Sequence, residues 1–292
     1  MKKRNELLDV VRGLAIVIVV FAHALQVCGG KFNHSLHEYI RQFQMPLLMA
    51  VSGFATTYGI GKAGLKDAFL KKGGRLLLPY LCWATIVFCG DLATGFCSMG
   101  DVVRYMLCSE FWFLRVLFII ASVALICECL YLARALRFIN PAARVAMLLG
   151  LYSGCTFLIS SLPGQVSVFH MSIWYLTGFA IAFVCKNMSR RIGVAICSLA
   201  TIAYVVLNQM EPITAIRFLR TACGSLSVVL LAFALYSSTL ARTAFSQIGM
   251  NTLPVYAIHW CLCFNLKCFD WTKIVRNSGE AGGGRNAVRR GR

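Results

Sequence analysis

The sequence predicts an all-α fold, a polytopic transmembrane helical bundle with about nine visible spans, and three observations carry the prediction. The 292 residues have a mean hydropathy of +0.71, with 59% hydrophobic and only 14% charged residues, more apolar than a soluble domain of this length can hide. Nine stretches reach or approach the ~20 residues that a spanning helix needs: 7–27, 40–60, 75–95, 110–131, 145–161, 168–185, 192–208, 217–238 and 247–266. The basic residues alternate across the short connections. With a cytoplasmic N-terminus, the inner segments hold 15 Lys and Arg (Lys2, Lys3, Arg4, Lys62, Lys66, Lys71, Lys72, Arg75, Arg134, Arg137, Arg144, Lys186, Arg190, Arg191, Arg242). The outer segments before the tail hold 5 (Lys31, Arg41, Arg104, Arg217, Arg220), which is the positive-inside bias.

The first stretch, "LLDVVRGLAIVIVVFAHAL" (7–25), carries Asp9, Arg12 and His23. Its basic start and the "AHA" at 22–24 resemble a signal peptide, but Asp9 and Arg12 interrupt the apolar run, Val27 is not small, and eight further stretches follow. It is read as a retained first helix. In the second, "QMPLLMAVSGF" (44–54), Pro46 is expected to bend the helix and Ser52-Gly53 to allow close helix contact.

The connection "GKAGLKDAFLKKGGRLLLPY" (61–80) reads as an amphipathic piece at the inner interface, with Arg75 at the entry to span three. A smaller outer piece near 98–108 is expected to lie flat. "EFWFLRVLF" (110–118) sets Trp112 at an interface beside Glu110 and Arg115. "VFHMSIWYLTGF" (168–179) places His170 with Trp174 and Tyr175, and "NTLPVYAIH" (251–259) places Asn251, Tyr256 and His259 on one late helix. Singly, these are ordinary devices: a proline kink, a basic anchor, an aromatic belt, interhelical hydrogen bonding. His34 and His37 fall in a polar outer connection and read as solvated.

One integral membrane domain, 1–266, precedes a polar, glycine-rich, basic segment, 267–292, that reads as disordered or as a non-native ending. Nine crossings from a cytoplasmic start would put that basic tail outside, against the charge bias. The net charge of +18 thus reports orientation and contact with anionic membrane lipids rather than a nucleic-acid partner. Most of the fourteen cysteines sit in apolar stretches, where free Cys behaves as a small hydrophobe. Cys127/Cys129 and Cys261/Cys263 are two apart and point to different sides of a helix, so no metal site is expected. Cys28, Cys97 and Cys108 near the outer face leave room for one unassigned disulfide.

Arg12 and His23 carry the functional argument. Eleven positions at 100° each return to within ~20° of whole turns, with a rise of about 16 Å, so both lie on one stripe of one helix. Asp9, three before Arg12, is close enough to pair with it. A snorkelling ion pair plus a structural histidine would explain the three residues one by one. The shared stripe favours function: a fixed cation near the cytoplasm binds phosphate, and a deeper imidazole accepts a proton at neutral pH.

Taken in order, the Arg-x10-His pair with "LDVVRG" around the arginine, "QMPLLMAVSGF", "RLLLPY" (75–80), "EFWFLRVLF" and "NTLPVYAIH" resemble the acyltransferase 3 family of integral membrane acyltransferases over about residues 5–262. The form resembled most is the compact sugar or polysaccharide O-acetyltransferase. That resemblance implies about ten spans, one more than is visible here, so a truncated or frame-shifted end is an expectation. It implies a multi-pass protein of the bacterial cytoplasmic membrane, an acyl-CoA donor (acetyl-CoA or another) bound from the cytoplasm, and a hydroxyl acceptor on a cell-surface or exported glycan. Under it His23 is the general base, Arg12 and Arg75 bind CoA phosphates, and Asp9 orients Arg12. Ser52, Trp112, Arg115, His170, Tyr256 and His259 would shape the site or touch substrate, with no metal.

Two other classes compete. A transporter or flippase could use Asp9, Arg12, His23 and His259 as a relay, but neither an internal repeat nor paired broken helices stand out. A purely structural subunit leaves the Arg12–His23 stripe unexplained. The sequence leaves the acceptor, the acyl chain length and the oligomeric state open.

Overall fold

A computed structural model of the chain describes residues 5–28, 31–58, 65–93, 95–108, 111–132, 140–162, 165, 167–185, 188–211 and 213–259. Over these residues the chain is helical throughout, and seven helices are long and apolar enough to cross a membrane. The expectations for residues 1–4, Glu110, Cys261, Cys263 and the tail 267–292 lie outside the described residues.

Helix α1 (Glu6–Cys28) opens with Asn5 as its cap, the side-chain oxygen accepting the Leu8 N–H at 3.2 Å. Glu6 and Asp9 in the first turn suit the positive end of the helix dipole. The expected single span 40–60 is instead divided. An amphipathic α2 (Lys31–Arg41) turns through Gln42 and Phe43 into α3 (Gln44–Thr56). The carbonyls at the end of α2 are not abandoned: Tyr204 donates to the Tyr39 carbonyl at 2.9 Å and Thr221 to that of Gln42 at 3.1 Å. Pro46 does not bend a helix. It is the third residue of α3, in the first turn, where its missing N–H costs nothing. Thirteen residues span only about 20 Å, and α3 is buried along most of its length as a core helix. His37, expected in solvent, is 8% exposed within α2.

The inner amphipathic piece is continuous with span three. Helix α4 (Leu65–Lys72) runs through a π-helical turn (Gly73–Leu77) into α5 (Leu78–Ala93), making a 28-residue apolar run from Lys66 to Ala93. Arg75 therefore lies inside that run rather than at its entry. A Cβ at Gly73 or Gly74 would meet nothing within 4 Å and neither glycine has a positive φ, so neither packing nor backbone conformation at the π-turn demands glycine there. The outer piece is a short 3-10 turn (Met99–Asp101) and α6 (Val102–Cys108). The Ser98 N–H and hydroxyl donate to the Asp101 carboxylate at 3.0 and 2.8 Å, and these two bonds hold its pKa below the ordinary value.

Helices α7 (Trp112–Leu132), α8 (Pro141–Ser160), α9 (Ser167–Cys185), α10 (Arg190–Leu207) and α11 (Thr214–Tyr236) follow the expected stretches closely. Asn140 starts α8 by accepting the Ala142 N–H at 2.9 Å, with Pro141 at the first helical position. The last expected span is broken: α12 (Thr239–Met250) ends at Asn251 (φ −107°, ψ 28°), and a further helix, α13, covers 252–259. Pro254 explains the break, since it has no N–H for the Met250 carbonyl and its ring would crowd that oxygen.

The core is built on two close helix crossings. A Cβ added at Gly13 of α1 would sit 2.0 Å from the Phe245 carbonyl oxygen of α12, and one at Gly249 would sit 1.9 Å from the Asp9 oxygen. The same reciprocity joins α3 and α9: Gly53 against the Tyr175 oxygen at 1.9 Å, Gly178 against that of Ala50 at 1.8 Å. Close contact at Gly53 agrees with the sequence expectation, and Gly178 is its partner. Between these pairs lie Val10, Leu14, Met49, Leu114, Ile120 and Tyr175, all at most 5% exposed. Helices α8 and α10 are peripheral, and their exposed Leu158, Leu199, Ile202 and Val205 read as lipid-facing. The nine described free cysteines include Cys97, whose thiol reaches the Phe88 carbonyl at 3.8 Å.

The crossings predict a sharp contrast among glycines. Gly13→Ala or Gly249→Ala must push two backbones apart and should lower the thermal midpoint in detergent, at a cost of about 1–3 kcal/mol. Gly150→Ala in α8, whose Cβ would meet nothing within 4 Å, should leave the midpoint unchanged or raise it by up to about 1 kcal/mol equivalent. Equal effects at the two kinds of site would refute the close-crossing account.

Candidate active site

Helices α1 and α12–α13 run side by side in the same direction. Glu6 lies 3.9 Å from the Arg242 guanidinium at the start of both, the glycine crossing follows, and twelve residues beyond Val11 and Gln247 come His23 and His259. Their rings stack, with centroids 5.4 Å apart and planes 28° apart. Past the break at Asn251, α13 still meets α1 at this pair. His259 is 4% exposed, and its Nδ1 stands 3.2 Å from the Val255 carbonyl of its own helix, so the tautomer with hydrogen on Nδ1 donates there. Tyr256, one turn earlier, packs on His259 at 5.4 Å and on the rings of Phe113 and Phe111 at 5.6 and 6.4 Å. His23 is half-buried.

At the other end of the stripe, Arg12 Nη1 is 3.5 Å from Asp9 Oδ1; the arginine side chain is 32% exposed and the aspartate 8%. The guanidinium thus reaches the solvent edge while its carbon stem rests on the bundle. The structure thus brings Asp9 to Arg12 and His23 to His259 and Tyr256, all on one helix pair.

The remaining candidates separate from these. Arg75 is exposed on the π-turn, which packs on α4, α5 and α7. The Ser52 hydroxyl donates to the Leu48 carbonyl at 2.7 Å, one turn back on its own helix. Arg115 is 7% exposed beneath Tyr80: its Nη1 is 3.5 Å from the phenol oxygen, which donates in turn to the Met106 carbonyl at 2.8 Å. That arrangement ties α7 to α5 and α6. Trp112 is half-buried, edge-on to Phe113 at 6.2 Å. His170 is exposed near the start of α9.

Sequence reading missed the aromatic wall of Phe111 and Phe113 around Tyr256. Their repeat within "FWFL" was the available signal, absorbed there into the interfacial reading of Trp112. Among the described residues, no group of three or more His, Cys, Asp or Glu is placed to hold a metal ion.

Comparison with known proteins follows the same residues. A family model described as "Acyltransferase domain", that of the acyltransferase 3 family, matches residues 5–271. The chain is 30% identical over 121 residues to Nodulation protein NolL of Sinorhizobium fredii, covering 38% of this chain and 33% of that protein. It is 31% identical over 85 residues to Nodulation protein NolL of Mesorhizobium japonicum, covering 27% and 23%. The aligned stretches thus span a third or less of these relatives. No solved structure matches the chain. With a family model matched from the cap of α1 through the described part of α13 and beyond, and an apolar helical bundle to hold it, this chain is an integral membrane protein that belongs to the acyltransferase 3 family.

Proposed function

We propose that the protein transfers an acyl group, most simply acetyl, from cytoplasmic acyl-CoA to a hydroxyl of a cell-surface or exported glycan. The observation that carries this reading is the stacked His23–His259 pair, set on the same helix stripe as the half-exposed Arg12 in a member of an acyltransferase family. Family membership supplies the class of reaction. The helix pair supplies residues for it.

In the proposed step the acceptor hydroxyl oxygen attacks the thioester carbonyl carbon. His23 takes the hydroxyl proton as the carbon–oxygen bond forms, the carbon–sulfur bond breaks, and the proton passes to the departing CoA sulfur. General-base help of this kind typically supplies 10²–10⁴-fold in rate. Arg12, oriented by Asp9, would pair with a CoA phosphate, and the rise of about 16 Å along α1 sets the distance the donor must cover to reach His23. Arg75 would add positive charge on the same side. Tyr256, His259, Phe111 and Phe113 would wall the reacting end from lipid and water. The orientation that puts Arg12 on the cytoplasmic side rests on the distribution of Lys and Arg.

Mass analysis of surface glycans from cells with and without the protein tests the reading; an added acetyl mass that depends on the protein is expected, and its absence overturns glycan acetylation. His23→Ala should lower transfer by at least about 10²-fold with unchanged membrane insertion, and transfer at the original rate would remove His23 as base. Arg12→Ala should raise the KM for acetyl-CoA by about 10-fold or more, the worth of a charge-assisted phosphate contact. An unchanged KM would dismiss the phosphate role.

A further inference from the structure

A membrane bundle collects basic residues on one side, but the fold decides which of them meet. Helix α10 opens with Arg190 and Arg191, both exposed, and Arg242 is the fourth residue of α12. Neither helix has an acidic residue in its first turn. Cations at the positive end of a helix dipole are unfavourable, so both helix starts carry a surplus of positive charge.

Tyr236, the last residue of α11, draws two of these cations together. The Cζ of Arg190 is 6.0 Å from the centroid of its ring and that of Arg242 is 5.5 Å from it. Arg190 also lies 5.9 Å from the Phe233 ring and donates to the Phe233 carbonyl at 3.4 Å. Glu6 Oε2 accepts from the Tyr236 hydroxyl at 3.4 Å and stands 3.9 Å from Arg242 Nε. Two guanidiniums thus share one ring and one carboxylate. The cluster is open to its surroundings: the side chains of Arg242 and Glu6 are 38% and 56% exposed, and Arg190 is exposed as well.

Fastening of helices accounts for part of this. The bond from Arg190 to a carbonyl in the last turn of α11 suits the negative end of that helix, and each guanidinium gains from the face of the ring. A surplus remains, because a guanidinium has five N–H donors and like charges gathered at one ring repel. An anion at this edge offsets both. The neighbouring residues indicate what bears it. Leu240, two before Arg242, is 82% exposed, and Ile192, two after Arg190, is exposed too. Large apolar side chains beside arginines at the ends of spanning helices suit a molecule with a phosphate head and hydrocarbon chains. A free phosphate would use the arginines and leave Leu240 and Ile192 in water.

We propose that the edge formed by the start of α10, the end of α11 and the start of α12 binds the headgroup of an anionic phospholipid, with Arg190 and Arg242 as its charged contacts and Tyr236 as the ring that holds them together. The Lys and Arg distribution puts this edge at the inner leaflet, where basic segments and acidic headgroups attract. A headgroup there competes with Glu6 for Arg242. The site is separate from Arg12 and His23 and does not depend on which reaction the protein catalyses.

The full chain in detergent micelles is titrated with phosphatidylglycerol or phosphatidylcholine, and bound lipid is counted by native mass spectrometry. The wild-type chain should retain phosphatidylglycerol in preference. Arg190→Gln and Arg242→Gln should each weaken that retention about five-fold, the worth of one basic residue at an anionic surface. Arg217→Gln, an exposed arginine near the opposite end of α11, should leave it unchanged. Tyr236→Leu removes no charge and should also weaken retention, whereas Glu6→Gln removes the competing carboxylate and should strengthen it. Arg190→Lys and Arg242→Lys keep the charge and should retain most of the binding, which separates a lost contact from a lost fold. Equal losses in Arg190→Gln and Arg217→Gln would reduce the effect to overall charge and overturn the site. Equal retention of the two lipids would overturn it as well. Displacement of the lipid by inorganic phosphate or by CoA would assign the arginines to a soluble anion and overturn the lipid as occupant.

Discussion

Backbone contact between α1 and α12 at Gly13 and Gly249 is the constraint on which the candidate site depends. Apolar helices in a membrane gain little from burying apolar surface against one another, because lipid is equally apolar; they associate through close packing and polar contacts. With no Cβ at either glycine, each helix lays its backbone against a carbonyl of the other. That reciprocal contact fixes both the separation and the register of the helices, and the Glu6–Arg242 approach before it agrees with that register. In that register residue 23 stands level with residue 259, and beyond the break at Asn251 the two rings do meet. The imidazole stack follows from a contact some eighteen ångströms away along the axis, twelve residues at 1.5 Å each.

The ionisable residues inside the bundle divide by what their charges do. Arg220 closes the α10–α11 hairpin by donating to carbonyls at the end of α10, satisfying orphan acceptors at the negative end of that helix. Arg115 serves Tyr80 and through it α6. Both are buried, at 8% and 7% exposure, and both make structural connections that an apolar residue could not make. Arg12 differs: its carboxylate partner is buried while the guanidinium itself reaches solvent. The same residue type is a buried tether in two places and, in the third, a solvent-reaching partner of a buried carboxylate, and exposure tells them apart.

Much of this was legible in the sequence because hydropathy and helix rotation are local properties. The seven long helices follow apolar stretches, and the Asp9–Arg12 contact follows from i,i+3 spacing. The divisions at Gln42–Phe43 and at Asn251 were not legible in the same way, since averaged hydropathy registers apolar content and not the continuity of the hydrogen-bond ladder. Pro254 held the signal for the second break. Pro46 held a misleading one, because a proline starts a helix as readily as it kinks one and only the position of the first turn decides. His37 was misread for a related reason: polar composition suggested a solvated connection, whereas an amphipathic helix of the same composition buries one side. The meeting of His23 with His259 is non-local, and no spacing within either segment encodes it.

The two glycine crossings hold two different sets of polar groups. Helices α1 and α12–α13 hold the cation and the imidazoles; α3 and α9, with α11, hold the uncharged amide of Gln44 and the indole of Trp174. Each set sits on helices already at backbone contact, and groups on such elements are held more closely than groups on loops. Helix α1 packs on α3 and α11 as well as α12, so the pairs are joined through the helix that bears His23. His23 therefore stands on the helix that joins the two crossings, rather than on the periphery with α8 or α10.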